Sequence, residues 1–350
     1  MALLTAIVVV WSLFSFGSVL SLASPWLHHP IDYSAVNEYV REHYGGSESY
    51  FDGNQVQTAI WDARLGVLVS DDDNTRKPAV LEEDGFCLRE LSHPPLDWSN
   101  PEQVKKSYLS RLVELMEKEF SRETLLSVVF WHPMLRTSAE HPLENDDNND
   151  GTISRSNVAS LVHIDNDVGA FELDELLKVV FNNRMDDDDD DKNGNDDMAT
   201  VMQLVESGHR FAIVNAWKNI RVEPVQRAPL ALFRPTYAEP NGCVPTARPD
   251  DKRSRWYTFP RMTRDEVLLF KQYDRRADKR SDIWHCALTH VGSDDAVLRE
   301  SLDVRAFCVF DTVVPTGLDR YGENRIRPNL SLQESECFCT EQAHQRNNAS

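Results

Sequence analysis

From Arg210 onward the chain runs strand after strand: short apolar or alternating stretches, each closed by Pro, Gly, Asn or Asp. Arg210 to Trp217, Leu230 to Arg234, Trp256 to Phe259, Val267 to Tyr273, Ile283 to His290 and Ser301 to Phe310 are the predicted strands. Such spacing favours a jelly-roll sandwich over a parallel sheet. Upstream, residues 46 to 98 read as short strands and turns, with Gln57 to Arg64 the clearest extended piece. A helix is expected after Ser99: Ser99 and Glu102 have capping-box spacing, Pro101 suits the first turn, and Val104, Tyr108, Leu112 and Leu115 form an apolar stripe. Leu125 to Trp131 suits a buried strand, and Glu172 to Phe181 and Thr200 to Val205 suit helices, the second stopped by Gly208. The fold class expected is mainly β with flanking helices, a cupin-like jelly roll, and no internal repeat is evident.

Composition adds three features. A nearly continuous apolar stretch from Leu3 to Leu22 predicts a signal peptide over residues 1–24; it lacks a leading Lys or Arg and is long enough to anchor in a bilayer if uncleaved. A secretory location follows as an expectation, with membrane contact only through that segment. The formal net charge of −20 argues against nucleic acid or an anionic membrane as partner. Much of that charge sits in two acidic insertions, 144–154 and 185–198, which divide one domain spanning 46–315; residues 316–350 form a tail. Six cysteines, at 87, 243, 286, 308, 337 and 339, are compatible with disulfides on a secretory route but not spaced as a zinc site, and Cys308 reads as core. Asn329 and Asn348 begin glycosylation tripeptides.

Candidate chemistry starts at His163-Ile164-Asp165. In an extended strand, side chains at i and i+2 leave the same face, so both can reach one metal ion. With 11 histidines in the chain, about one His-x-Asp arises by chance, so the ordered set carries the argument. His290 is expected to supply a second imidazole from a distant strand. Two neutral nitrogens and one carboxylate on one side of a six-coordinate Fe(II) leave positions for reactants. Arg299 and Ser301 follow, and residues 299, 301, 303 and 305 would share one strand face while Leu302, Val304, Ala306 and Cys308 share the other. A planar guanidinium can grip the far carboxylate of 2-oxoglutarate with two hydrogen bonds and a serine can add a third. Arg305 has the same parity and is the alternative anchor.

Several segments in order resemble the gibberellin-desaturase-like hydroxylases and desaturases of fungal and bacterial secondary metabolism, some of which carry a methyltransferase label. They are Tyr50-Phe51, Asp62-Ala63-Arg64, Asp84-Gly85-Phe86, Val129-Phe130-Trp131-His132 with Arg136, Val162 to Asp165, Asn215-Ala216-Trp217, Val225-Gln226, Pro229-Leu230-Ala231, Arg255 to Met262, Glu266 to Asp274, Thr289-His290 through Asp294-Asp295, and Arg299 to Arg305. The resemblance covers roughly residues 48 to 312. It implies a double-stranded β-helix oxygenase that uses Fe(II), 2-oxoglutarate and O2 on a small-molecule substrate. Two departures stand out. Lys218-Asn219 replace an Arg-Pro after the tryptophan, and Val291-Gly292-Ser293 follow His290 where Thr-Ala-Phe is usual. Those positions are expected to face substrate or its surroundings. Trp217, Asn215, His132, Arg136 and Arg261 are further pocket candidates, whereas Trp256 and Phe259 are expected in the core.

Two competing readings come from other classes. A secreted calcium-binding protein would use Asp146, Asn148, Asp150, Gly151, Ile153 and Ser154, which match an EF-hand loop but place Asn157 where the bidentate glutamate belongs. A methyltransferase would need a Gly-rich nucleotide-binding turn after a strand, and none is visible.

Overall fold

The computed structural model describes residues 25–34, 55–69, 75–139, 153–165, 173–182, 194–234, 255–276, 281–293 and 295–315. The apolar leader, most of both acidic insertions, the C-terminal tail and Cys243, Cys337 and Cys339 lie outside them. The described cysteines, Cys87, Cys286 and Cys308, are buried and free.

The first elements are β1 (Leu27–Asp32), β2 (Gln55–Asp62), the short β3 (Val67–Leu68) and β4 (Arg76–Lys77), α1 (Leu81–Asp84) and β5 (Phe86–Glu90). Helices α2 (Pro101–Val104) and α3 (Ser110–Glu119) are joined by a π-helical segment, Lys105–Leu109. Next come β6 (Leu125–Thr137), β7 (Ser154–Asn157), α4 (Leu173–Asn182) and α5 (Gly194–Glu206). The chain finishes with β8 (His209–Asn219), β9 (Leu230–Arg234), β10 (Arg255–Thr258), β11 (Glu266–Asp274), β12 (His285–Ala287) and β13 (Glu300–Val313).

Two curled sheets face each other. One has the order β1-β2-β10-β9-β12 and the other β5-β11-β8-β13-β6-β7. Pairing is antiparallel except at β2–β10 and β6–β7. From β8 the chain goes to the small sheet for β9 and β10, returns for β11, crosses for β12 and returns for β13, which is the winding of a double-stranded β-helix. The segment before Asp165 then ties the edges of the small sheet together. Leu161 bridges Asp32 at the end of β1, and His163 bridges His285 in β12.

The strand parity expected for β13 holds. Leu302, Val304, Ala306 and Cys308 pack on Tyr108, Leu112 and Met116 from the helical layer. Between the sheets, Trp217 and Phe270 meet Leu230, Leu232, Tyr257 and Ile283. At one end, Phe211, Ile213 and Phe307 pack under Leu176, Leu177 and Val180 of α4 and Val201 and Val205 of α5. Trp256 and Phe259 are core residues, as their strand position suggested. The α2 cap differs from the expected box: Asn100, not Ser99, accepts from the Gln103 N–H, because Ser99 is occupied by the Asp97 carboxylate. Ile153 of the EF-hand-like stretch is buried, and the residues after it form β7 beside β6.

Candidate metal centre

His163 and His285 are directly opposite each other and exchange both backbone hydrogen bonds, at 3.1 and 2.9 Å. Opposed residues of an antiparallel pair send their side chains to the same face, so the two rings lie 4.3 Å apart between centroids. Asp165, two residues beyond His163, leaves that face as well. The three donor groups lie within 4.8 Å of one another. This corrects the expected second imidazole: His285 joins His163 and Asp165, whereas His290 sits in the turn after β12, exposed, its ring 5.7 Å from that of His29.

Both imidazoles are oriented by backbone. His163 Nδ1 lies 2.8 Å from the Leu161 carbonyl and His285 Nδ1 lies 3.2 Å from the Ile283 carbonyl. A carbonyl only accepts, so Nδ1 carries the proton and each Nε2 offers its lone pair. The Nε2 atoms stand 3.6 and 3.7 Å from the two Asp165 oxygens. Burial, reinforced by His163, pushes the His285 pKa down to about 3, which leaves a neutral ring at physiological pH. Burial alone would raise the Asp165 carboxyl, but His285, His163 and Arg305 outweigh it and hold it well below the usual carboxylate range. Two imidazole nitrogens and a carboxylate are a donor set that suits Fe(II).

Asp165 is itself held on every side. Its backbone N–H donates to Gln272 Oε1 at 2.7 Å, and the same glutamine donates through Nε2 to the Ile283 carbonyl at 3.1 Å. Asn215 Nδ2 donates to Oδ2 of Asp165, and Arg305 Nη2 lies 3.0 Å from Oδ1. Asn215 and Arg305 are cross-strand partners on β8 and β13, so one rung of the large sheet supplies both contacts. Arg305, the expected alternative carboxylate anchor, is therefore engaged with Asp165.

One cleft joins His163 and His285 to Arg299, with Arg136, Trp217, Phe270 and Asp303 in its wall. The Arg299 guanidinium is enclosed and lies 4.9 Å from the Trp217 ring centroid. It donates to the Ala228 carbonyl at 2.6 Å and to Ser301 Oγ at 3.3 Å, and no carboxylate of the described residues makes an ion pair with it. Burial, with Arg136 adding repulsion, lowers its pKa to about 9. A buried cation so placed is a ready receptor for an anion. Asn215 Oδ1, Trp217 Nε1 and Asp303 Oδ1 are also buried without hydrogen-bond partners, on two neighbouring strands of the same wall. The pocket thus fits a polar, anionic ligand reaching from Arg299 toward the histidines.

The remaining candidates separate. Arg136 and Trp217 line the cleft. His132 occupies a bulge of β6 with φ of 54°, and its pKa is lowered by burial and by Arg305. Arg261 is exposed in the turn after β10, outside the site. Lys218 does not face the cleft: it points to the helical layer, where Nζ donates to the carbonyls of Leu91 and Glu266 at 3.0 and 3.3 Å. Asn219 likewise serves the backbone, donating to the Glu223 and Met262 carbonyls at 2.9 and 3.2 Å. Gln272 and His285 were the functional positions that patterning missed.

Residues 37–309 match the model of a family described as an oxidoreductase/YMDC permease-like domain. Alpha-ketoglutarate-dependent dioxygenase phiK of a fungal species is 27% identical over 246 residues, 66% of this chain and 79% of the relative. Alpha-ketoglutarate-dependent dioxygenase tstK of Talaromyces stipitatus is 33% identical over 117 residues, 29% of this chain and 42% of the relative. Hydroxylase/desaturase efuI of Hormonema carpetanum is 27% identical over 125 residues, with the same shares. Among solved structures, the iron and alpha-ketoglutarate-dependent endoperoxidase NvfI is 22% identical, covering 76% of this chain and 90% of that one with a TM-score of 0.47.

Proposed function

The chain belongs to the oxidoreductase/YMDC permease-like domain family, and on that premise we propose that it is an Fe(II)- and 2-oxoglutarate-dependent dioxygenase that hydroxylates or desaturates a small organic molecule with O2. The observation that carries this is the opposed His163–His285 pair with Asp165, sharing one cleft with the enclosed Arg299. His163 Nε2, His285 Nε2 and the Asp165 carboxylate would hold the metal. Arg299, with Ser301 bonded to its Nε, would hold the distal carboxylate of 2-oxoglutarate. When bound, these groups supply the oxidation of an unactivated C–H bond by O2, coupled to decarboxylation of 2-oxoglutarate to succinate.

The protein's part is orientation and electrostatics. The Leu161 and Ile283 carbonyls fix both imidazole tautomers, and Gln272 fixes the Asp165 backbone against the strand that carries His285. Phe270 packs edge-on to His285 with centroids 4.8 Å apart and, with Leu230 and Trp217, makes part of the cleft wall apolar. The acidic total charge does not oppose an anion here, because the cleft wall carries the enclosed Arg299, while Arg136 beside it is paired with Asp303 at 3.6 Å. Purified protein should consume O2 and form succinate from 2-oxoglutarate only with Fe(II). Both His163→Ala and His285→Ala should abolish this, and His290→Ala should retain it. Turnover surviving in His285→Ala and lost in His290→Ala would reverse the ligand assignment.

A secretory location rests on the Leu3 to Leu22 stretch alone, with membrane contact confined to it, and the net charge of −20 supports the absence of a nucleic-acid partner. Among the described residues no helix is long and apolar enough to cross a membrane. A reporter fused after residue 24 of the leader would enter the secretory pathway; cytosolic retention would remove that part of the reading.

A further inference from the structure

Asp165 already has a cation. Its side chain is 4% exposed, and Arg305 Nη2 lies 3.0 Å from Oδ1 while Asn215 donates to Oδ2. Both imidazole Nδ1–H groups point away to carbonyls and the Nε2 atoms stand 3.6 and 3.7 Å from the Asp165 oxygens, so Arg305 makes the shortest cationic contact. A buried carboxylate without a counter-ion is costly, and Arg305 is the guanidinium in contact with it. Yet the oxygen that Arg305 contacts, Oδ1, is the one 3.6 Å from His163 Nε2, so a metal ion between those donors would sit within a few ångströms of the guanidinium.

We propose that Arg305 is a resident counter-ion for Asp165, a positioning residue that stabilises the site before metal binds and weakens the hold on the metal afterwards. This rests on Asp165 being a metal ligand. The geometry follows from register: Arg305 and Asn215 are directly opposite on β13 and β8, so both approach the carboxylate from the large sheet while the histidines approach from the small one. The pairing of β13 with β8 fixes the position of the guanidinium. A dianionic cosubstrate bound beside it would offset the charge, so Arg305 also links metal binding to 2-oxoglutarate binding.

The test titrates metal-free protein with Mn(II), with and without 2-oxoglutarate, by calorimetry, and follows melting in parallel. Arg305→Gln is expected to bind Mn(II) at least about tenfold more tightly than wild type, to melt lower without metal, and to show a smaller gain in Mn(II) affinity when 2-oxoglutarate is added. Arg305→Lys, which keeps the charge, is expected to stay near wild type. Affinity unchanged or weaker in Arg305→Gln, or equally raised in Arg305→Lys, overturns the proposal. If Arg305→Gln does not fold alone, Mn(II) in the refolding buffer is expected to restore a cooperative melt, and failure to do so overturns it too. Wild-type protein that binds no metal would instead sink the metal centre itself.

Discussion

Arg299 is an enclosed guanidinium whose direct partners among the described residues are a carbonyl, a hydroxyl and the face of Trp217. A cation in that setting is destabilised relative to water unless an anion joins it, and its lowered pKa, about 9, is the mark of that cost. Its role and its stability cost therefore have opposite signs. Arg299→Gln removes the charge and keeps a donor. We expect the variant to melt at or above the wild-type temperature in the absence of 2-oxoglutarate, and to lose the upward shift that 2-oxoglutarate gives wild type. The loss of a charge-assisted contact, about 1.5–3 kcal/mol, predicts a KM for 2-oxoglutarate raised roughly 10- to 100-fold. Differential scanning fluorimetry with and without the cosubstrate reads both signs, and a variant that melts well below wild type yet still responds to 2-oxoglutarate would show that Arg299 is structural.

Gln272 owes its position to an irregularity in an element. In the β8–β11 pairing, Lys271 faces Val214 and Tyr273 faces Ile213, so Gln272 is the extra residue of a bulge. A bulge re-aims a side chain, and here a glutamine in the large sheet bonds to two segments of the small-sheet side, at Asp165 N and Ile283 O. Gln272→Leu leaves both backbone groups without that partner. A destabilisation of about 1–3 kcal/mol is expected, together with weaker metal binding, because the Asp165 and His285 arms are no longer held to each other. Metal titration showing wild-type affinity in a destabilised Gln272→Leu protein would refute the positioning part. Bulges and isolated bridges also mark where the sequence was legible and where it was not. Long strands with regular parity were readable: β8, β9, β11 and β13 fall where apolar runs and breakers put them, and the inward row Arg299, Ser301, Asp303, Arg305 follows from alternation in β13. His285 was not readable, because it stands in a three-residue strand between Trp284 and Cys286 and looks like a core position, while His290, beside the turn, has the more conspicuous context. Periodicity reports which face a residue takes along one strand; it carries no information on which residue of another strand stands opposite.

At the scale of the whole molecule, the site depends on two sheets keeping their relative register, and one device for this is a buried charge layer away from the cleft. Arg210 at the start of β8 and Asp274 at the end of β11 are both fully buried and pair through two hydrogen bonds. Glu82 of α1 and Glu123 before β6 also meet Arg210, and buried Lys271 reaches Asp274 at 3.0 Å. Arg234 of β9 in the small sheet bonds Asp84 of α1, so α1 is ionically tied to both sheets. Burial would raise the Asp274 carboxyl, but Lys271 and Arg210 overcome it and bring its pKa down to about 2 from 3.8. A carboxyl depressed on folding adds stability that is fully present above its unfolded value and is lost as pH falls through the folded one. Stability should therefore decline between about pH 4 and pH 2, and Asp274→Asn should flatten that decline. The same variant leaves Arg210 and Lys271 with one fewer counter-charge in the interior, which at neutral pH should cost about 3–5 kcal/mol and lower the melting temperature by on the order of 10 °C. Thermal melts of both proteins from pH 2 to 7 measure the two effects together. Parallel curves across the acid range would mean that another carboxylate, with Glu82 the nearest candidate, carries the acid sensitivity instead.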